Sequence, residues 1–149
     1  MILSAQTIRE LQPVSPFIEA TKIGGMSAGL SHCGYDVRIK TGAFLDAGEF
    51  AIASTIERFT MPLDVMAVVH DKSTLARRGL SVFNTVIEPG WEGWLTLELV
   101  NNSARPIQIE AGTPIAQIIF QRLDRPVEGY AGKYQNQADM PVAAILEVA

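Results

Sequence analysis

The chain has 149 residues, of which 48% are hydrophobic and 19% charged, and its net charge at pH 7 is −4. This length and composition predict one globular domain, residues 1–149, with one core and with apolar surface left over for contacts between subunits. The acidic balance and the lack of a stripe of Lys and Arg exclude nucleic acid as an expected partner.

Cysteine content and hydropathy indicate the cellular setting. Cys33 is the only cysteine, which excludes an intrachain disulfide and is typical of a reducing compartment. The first residues become polar after three positions, so no signal peptide is predicted, and no apolar run is long enough to cross a bilayer. We therefore expect a cytoplasmic protein without a membrane partner.

The predicted elements begin with a short helix and continue almost entirely as strands. Residues 5–11 have helical spacing, and Ser4 before them is the predicted N-cap. The next segment, residues 13–29, contains several prolines and glycines and is interpreted as irregular. From Tyr35 onward, short β-rich runs alternate with turns that contain glycine or proline. These predicted strands are YDVRIKT, EFAIAST, VMAVVHD, WLTLELV, PIQIE and PIAQIIFQRL.

Two segments depart from this strand pattern. KSTLARRG, residues 72–79, has helix formers before a glycine and predicts a short helix capped by Ser73. The tail after Asp124 lacks periodicity, and its composition alone favours a frayed end. Its last apolar stretch, PVAAILEV, matches no motif and is interpreted as a segment that could dock on a neighbouring subunit. Many short strands without helical crossovers predict an all-β sandwich, jelly roll or barrel.

A zinc site is not expected, because the few residues that could bind zinc do not form a known zinc-binding pattern. The candidate ligands are His32, Cys33 and His70. One cysteine cannot supply the H-x-E…P-C-x-x-C pattern of the zinc deaminases, and neither H-E-x-x-H nor C-x-x-C occurs. Any hydrolysis by this chain must therefore activate water without a zinc ion held by the protein.

The predicted short helix could hold an anion. Lys72 precedes it, and Ser73 and Arg77 are four residues apart, so they share one helical face. A hydroxyl and a guanidinium on one face can contact a phosphate, or the guanidinium can orient a carboxylate. Spacing alone leaves open the alternative of a capped surface helix with a solvated arginine.

Two carboxylates flank the turn in VIEPGWEGWLTLEL. In residues 94–100 the leucines alternate toward the core, which places Thr96 and Glu98 on the opposite face of the strand. If that face is covered, desolvation raises the pKa of the Glu98 carboxyl toward a value useful for proton transfer. If it is uncovered, Glu98 is an ordinary outer residue. Glu88, beside Pro89 at the start of the turn, is expected to be exposed.

Several separate motifs together resemble the dCTP deaminase family within the dUTPase-like superfamily. They span most of residues 1–137 in the family's order: YDVRI, GEFAIAST, KSTLARRGL, IEPGWEGWLTLEL, IEAGTPIAQIIFQRL and GKYQNQ. The resemblance implies a distorted all-β jelly roll with a few short helices, assembled as a homotrimer with active sites between subunits. It also implies zinc-independent hydrolysis of dCTP to dUTP and ammonia, with Mg²⁺ bound through the triphosphate and not by protein side chains.

The resemblance also implies roles for individual residues. Glu98 matches the family's proton-transferring glutamate, Arg77 the arginine paired with it, and Ser73 the serine that positions water. The tail, residues 125–149, becomes a lid that orders over the nucleotide and excludes water, with its lysine on phosphate and its glutamine on the base. The implied substrate-binding residues are Lys72, Ser73, Thr74, Arg77, Glu88, Thr96, Leu97, Tyr130, Lys133 and Gln137.

One loop departs from the family pattern, which resembles T-A-x-x-I-D-P-G. This chain has a shorter TVIEPG, with Glu88 in place of the aspartate that contacts deoxyribose and, in the diphosphatases, activates water. The alternatives to a dCTP deaminase are therefore a dUTP diphosphatase or bifunctional enzyme that uses Glu88, and an inactive nucleotide-binding regulator. The deaminase is the leading hypothesis, because a regulator has no need of Ser73, Arg77 and Glu98 together.

Overall fold

The computed structural model describes residues 1–148 and consists mainly of β-strands, which confirms the predicted all-β class. Position 149, the end of the predicted lid, lies outside the described residues. The two helices are α1 (Ala5–Leu11) and α2 (Ser73–Ala76). No helix within residues 1–148 is long and apolar enough to span a membrane. The strands are β1 (Val14–Ser15), β2 (Thr21–Ile23), β3 (Met26–Leu30), β4 (Tyr35–Arg38), β5 (Ala43–Leu45), β6 (Phe50–Thr60), β7 (Val65–Asp71), β8 (Leu80–Val82), β9 (Val86–Ile87), β10 (Glu92–Asn101), β11 (Ile107–Ile109) and β12 (Pro114–Arg122).

Two antiparallel sheets form the body of the fold. The first has the strand order β1-β6-β10-β8, and the second the order β2-β3-β4-β12-β7-β9, while β5 and β11 pair separately. Both sheets contribute to one hydrophobic cluster, in which Tyr35, Phe59 and Phe120 are fully buried. Alternation along each strand sends apolar side chains into this shared core, which is the packing of a β-sandwich or jelly roll.

The segment at residues 13–29, interpreted as irregular from its sequence, contains β1, β2 and β3. Strands β2 and β3 form a hairpin in which Ile23 pairs with Met26 across Gly24 and Gly25. Both glycines have positive φ angles, 56° and 79°, which a two-residue type I′ turn requires. The Gly-Gly pair is the sequence signal for this hairpin, and the irregular interpretation is wrong there.

The two predicted helix caps differ from the expectation. Ser4 occupies the N-cap position of α1 as predicted, but its side chain makes no capping hydrogen bond. In α2 the N-cap is Lys72, again without a side-chain bond, and Ser73 is the first helical residue. The predicted cap at Ser73 is therefore wrong, and the exposed side chain of Ser73 is not engaged at the helix terminus.

A buried ion pair ties the second sheet to the first. Glu57 in β6 is fully buried, and its Oε1 accepts a hydrogen bond from Arg38 Nε at 2.7 Å. Its Oε2 accepts a second bond from the Arg38 backbone N–H at 2.9 Å. Since Arg38 belongs to β4, this carboxylate joins strands of different sheets.

Glu57→Gln is expected to lower the free energy of unfolding by about 3–5 kcal/mol, because it leaves the Arg38 charge inside the fold without a counter-charge. Urea denaturation followed by circular dichroism measures this change. Glu19→Gln is the matched control, since it removes the charge of an exposed pair with Arg9 and should leave stability nearly unchanged. Equal effects of the two substitutions would contradict a structural role for the buried pair.

Candidate active site

A concave cavity of about 550 Å³ opens beside the middle of β10. Leu97 and Leu99 in this strand are fully buried in the core. Thr96 and Glu98, on the opposite face, line the cavity instead. The predicted faces are therefore confirmed from Thr96 to Leu99, whereas Leu95, at an irregularity in the pairing of β10 with β6, also lines the cavity. The face that carries Glu98 is partly covered.

Glu98 has the environment of a proton-transfer group. Its side chain is half-buried, and Oε2 is a buried atom without a hydrogen-bond partner among residues 1–148. Burial raises the pKa of Glu98 above its ordinary value of 4.5, although a hydrogen bond from its own backbone partly opposes this. A carboxyl with a raised pKa can both accept and return a proton closer to neutrality than an ordinary glutamate can.

Glu88 lies in the wall of the same cavity. Its side chain is exposed, as expected, at the end of the short β9 strand. The turn after it is closed by a hydrogen bond from the Trp91 backbone N–H to the Glu88 carbonyl at 3.1 Å. The structure therefore brings Glu88 and Glu98, two of the three carboxylates of VIEPGWEGWLTLEL, to one cavity, where Glu88 is exposed and Glu98 is half-buried.

The C-terminal tail lies against β10 and its preceding turn and is not frayed. The Trp91 Nε1–H donates to the Tyr134 carbonyl at 2.6 Å, and Gln137 forms a parallel β-bridge with Gly93. Tyr130, Tyr134 and Gln137 then form part of the cavity wall. A role of this segment as a lid over a nucleotide stays a prediction.

Leu97 and Lys133 are among the predicted binding residues whose side chains do not line the cavity. Leu97 is fully buried, so only its backbone is left to contact a ligand. Lys133 does not line the cavity, and its Nζ lies 5.3 Å from the centroid of the Tyr134 ring. A contact between Lys133 and phosphate stays a prediction.

Helix α2 does not reach the cavity of its own chain. Ser73, Thr74 and Arg77 are exposed, and none of them lines the wall. The pairing of Arg77 with Glu98 is therefore not formed within one chain. These residues can join one site only if α2 comes from another copy.

Lys72 has a partner inside the fold. Its side chain is only 7% exposed, and Nζ lies 2.7 Å from the Asp36 carboxylate and also donates to the Ser27 hydroxyl. The charge of Lys72 is thus engaged by β4, so any contact of its ammonium group with phosphate would have to compete with Asp36. A role for Lys72 in phosphate binding stays a prediction.

The residues considered as metal ligands are His32, Cys33 and His70. Cys33 is exposed. Within residues 1–148, no three His, Cys, Asp or Glu side chains lie close enough together to hold a metal ion. The described part of the chain therefore offers no preformed metal cage.

Sequence reasoning missed several apolar wall residues. Phe50 and Ile52 of β6 line the cavity, and Ile52 pairs with Glu98 in the sheet register. Alternation along EFAIAST places these two side chains on one face, so a signal for them existed. Residues 142–144 also line the wall, and no sequence motif indicates this.

Comparisons with known proteins agree on one family. Residues 31–123 match the model described as dCTP deaminase-like. The dCTP deaminase of Campylobacter hominis is 36% identical over 168 residues, covering 90% of this chain and 88% of that protein. The dCTP deaminase of Roseiflexus castenholzii is 34% identical, with coverages of 87% and 89%. Because the 168-residue alignment is longer than the whole chain of 149 residues, the relatives carry insertions within the matched region.

Solved structures that resemble the chain include dUTPases. The EIAV dUTPase gives a TM-score of 0.56 at 20% identity, covering 68% of this chain and 85% of that chain. The dUTPase from phage phi11 of S. aureus gives 0.59 at 15% identity, with coverages of 80% and 92%. A variant of this phage enzyme is described with a structural Mg(II) ion. At these identities the likeness shows the fold, and the predicted dUTPase-like fold is confirmed.

Proposed function

Because the chain belongs to the dCTP deaminase family, we propose that it hydrolyses dCTP to dUTP and ammonia. The observation that carries this proposal is the carboxyl of Glu98, which is half-buried in the cavity, has a raised pKa and has one oxygen without a hydrogen-bond partner among residues 1–148. Such a group is suited to move protons during attack of water on the base. The chain is thus an enzyme of the dCTP deaminase type.

Glu98 would move each proton of the reaction. It takes a proton from water as the new C4–O bond forms, and delivers it to N3 of the cytosine ring. It then takes the proton of the new C4 hydroxyl and transfers it to the 4-amino group, so that the C4–N bond breaks and ammonia leaves as the C4 carbonyl of uracil is completed. One water is consumed for each dCTP, so atoms and charges balance. The raised pKa supports both proton acceptance and proton return.

The base would be held between β10 and the lid. We place the ring edge on the backbone of Thr96 and Leu97 and on the Gln137 amide, with Tyr130 closing the site. Thr96, Gln137 and Tyr130 all line the cavity, which supports this placement. Lys133 would contact phosphate once the triphosphate is bound. A closed lid also excludes bulk water, so that only the positioned water reaches the base.

The second half of the site would come from a neighbouring subunit of a homotrimer. Ser73 and Arg77 are exposed on α2 and do not line their own cavity, so a site that combines them with Glu98 needs two copies. Phe50, in the cavity wall, and Phe83 are about half exposed, and the centroids of their stacked rings lie 6.3 Å apart. Apolar surface of this kind supports burial against another copy.

Magnesium would arrive with the triphosphate and not in a protein cage. Residues 1–148 contain no cluster of three potential ligands, and Mg²⁺ is commonly held by phosphate oxygens, waters and few protein groups. The bound ion would neutralise phosphate charge. The exposed Ser73, Thr74 and Arg77 of the neighbour would supply the protein's main contacts to the phosphates, and Lys72 would join them only in competition with its pairing to Asp36.

A dUTP diphosphatase or bifunctional enzyme is the second candidate. Glu88 lines the same cavity as Glu98, which is the observation in its favour. Glu88 would activate a water for attack on the α-phosphate, breaking the bond to the β-phosphate and giving dUMP and pyrophosphate. A nucleotide-binding regulator without turnover is the third possibility.

One experiment separates these functions. The protein is incubated with dCTP and, separately, with dUTP, while ammonia, dUTP, dUMP and pyrophosphate are followed. We expect ammonia and dUTP in equal amounts from dCTP. Pyrophosphate from dUTP that is lost in Glu88→Gln would establish the second activity. Binding of both nucleotides without any product would contradict an enzyme and support the regulator.

A further inference from the structure

The side chain of Gln137 is held by Thr96. Gln137 Oε1 lies 3.2 Å from the Thr96 backbone nitrogen and 3.3 Å from the Thr96 hydroxyl oxygen. Thr96 is only 7% exposed and sits in the middle of β10, so the sheet sets its position. The backbone of Gln137 is held too, because its carbonyl accepts a hydrogen bond from the Trp94 N–H at 3.2 Å.

Gly93 permits this close contact between β10 and the tail. Its φ angle is +141°, and a Cβ at this position would lie 2.6 Å from the Gln137 nitrogen and 2.9 Å from the Gln137 Cβ. A larger residue would therefore push Gln137 away from the strand. The position of Gln137 against β10 thus depends on backbone geometry at Gly93 as well as on hydrogen bonds to Thr96.

Donor and acceptor chemistry determines which end of the Gln137 amide faces Thr96. A backbone N–H can only donate, so the atom opposite the Thr96 nitrogen is the amide oxygen and not Nε2. The Thr96 hydroxyl accepts a bond from the Val142 N–H at 3.0 Å, which leaves the hydroxyl proton for Gln137 Oε1. The orientation of the amide therefore follows from groups whose roles cannot be exchanged.

The remaining amide group of Gln137 is a double donor at the cavity. Its Nε2 has no acceptor among the described residues, and Gln137 lines the mostly apolar wall. A pair of N–H donors in an apolar wall selects a ligand oxygen such as a ring carbonyl. Glu98 lies two residues beyond Thr96 on the same face of β10, so one planar ring can meet both groups.

We propose that Thr96 is a positioning residue that orients the Gln137 amide, so that its NH₂ group donates to the 2-carbonyl of the bound pyrimidine while Glu98 meets position 4. The inference rests on the proposed function for the identity of the base. The 2-carbonyl is common to cytosine and uracil, so this contact recognises a pyrimidine without separating the two. Because the same hydroxyl holds Val142, docking of the C-terminal segment and orientation of the amide are coupled.

Thr96→Val tests the orienting role, since it replaces the hydroxyl by a methyl group of similar size and keeps the backbone N–H. We expect the KM for dCTP to rise about tenfold, with kcat changed by less than about twofold, because one positioning hydrogen bond is lost and Glu98 is untouched. Thr96→Ser keeps a hydroxyl and should restore the native KM. A 2-thiocarbonyl analogue of dCTP, whose sulfur is a weak acceptor, should discriminate less between native protein and Thr96→Val than dCTP does.

Hydrogen exchange of the ligand-free protein provides a readout that does not depend on turnover. The Val142 N–H should exchange faster in Thr96→Val than in the native chain, because its acceptor is gone. Thr85→Val is the matched control for this exchange, since Thr85 lines the same cavity and its hydroxyl makes no hydrogen bond to residues 125–148 of the tail.

The outcomes for the two proposals are distinct. Absence of ammonia from the native protein would remove the proposed function, while exchange at Val142 would still test the contact with Thr96. The orienting role is overturned if Thr96→Val leaves either the dCTP KM or the Val142 exchange unchanged. It is also overturned if Thr96→Ser fails to restore the KM, since a hydroxyl at position 96 would then not be the cause.

Discussion

Glu98→Gln is expected to lower the rate of ammonia release from dCTP by roughly 10²–10⁴-fold, the usual range for loss of a general acid–base group. Glutamine has nearly the shape of glutamate but cannot take a proton from water. Binding of dCTP, measured by calorimetry, should be retained, because the cavity and the lid contacts are unchanged. Glu92→Gln is the matched control, since Glu92 lies on the same strand but outside the cavity and pairs with Arg58.

The pH dependence of Glu98 has a definite sign. Because Glu98 must be ionised to accept the proton of water, activity should be lost as pH falls through a pKa that lies above 4.5. The raised pKa also means that the folded state holds this proton more tightly than the unfolded state does. The resulting stabilisation is present below pH 4.5 and is lost as pH rises through the folded pKa.

Ammonia release by Glu98→Gln at the native rate would show that Glu98 takes no part in the reaction.

Arg77→Ala should lower ammonia release by roughly 10²-fold or more, because the arginine would no longer orient the Glu98 carboxyl. Mixing it with Glu98→Gln provides a sharper test. When the two inactive variants are unfolded and refolded together, about a quarter of the sites should combine a native Arg77 with a native Glu98. We therefore expect ammonia release to recover to about that fraction of the native rate in the mixture.

The neighbouring Arg78 provides the control for the mixing experiment. It is exposed next to Arg77, so Arg78→Ala removes an equal charge from the same surface. Arg78→Ala should keep most of the activity. If the mixture of Arg77→Ala and Glu98→Gln stays inactive although both variants fold, the two residues do not meet across a subunit interface.

The strands could be predicted because alternation of side chains is a local property. YDVRIKT contains β4, EFAIAST covers the first part of β6, and WLTLELV lies within β10, whose leucines are buried. The hairpin of β2 and β3 was missed because β2 is short and largely exposed, and because β3, although its last three residues are buried, has little apolar alternation. Its only strong signal was Gly24–Gly25, whose positive φ angles belong to the turn itself.

The candidate site, too, could be predicted from the sequence only in part. Sequence alone identified Glu98, the face on which it lies, and the condition under which its pKa would rise. It could not show what covers that face, since this depends on contacts between distant segments. The contact of Thr96 with Gln137 joins residues 41 positions apart, and Lys72 forms its ion pair with Asp36 of the distant strand β4.

Sequence by itself therefore determined the family and the all-β class, and it singled out Glu98 as the candidate proton-transfer group, because residue types and short spacings carry that information. The tertiary structure decided that the tail forms part of the cavity wall, that Ser73 does not cap α2 and that Arg77 lies away from Glu98 in one chain. It also decided that the Gln137 amide oxygen turns to Thr96. The physical reason is that burial and hydrogen-bond partners are set by packing between segments remote in sequence, which no local pattern records.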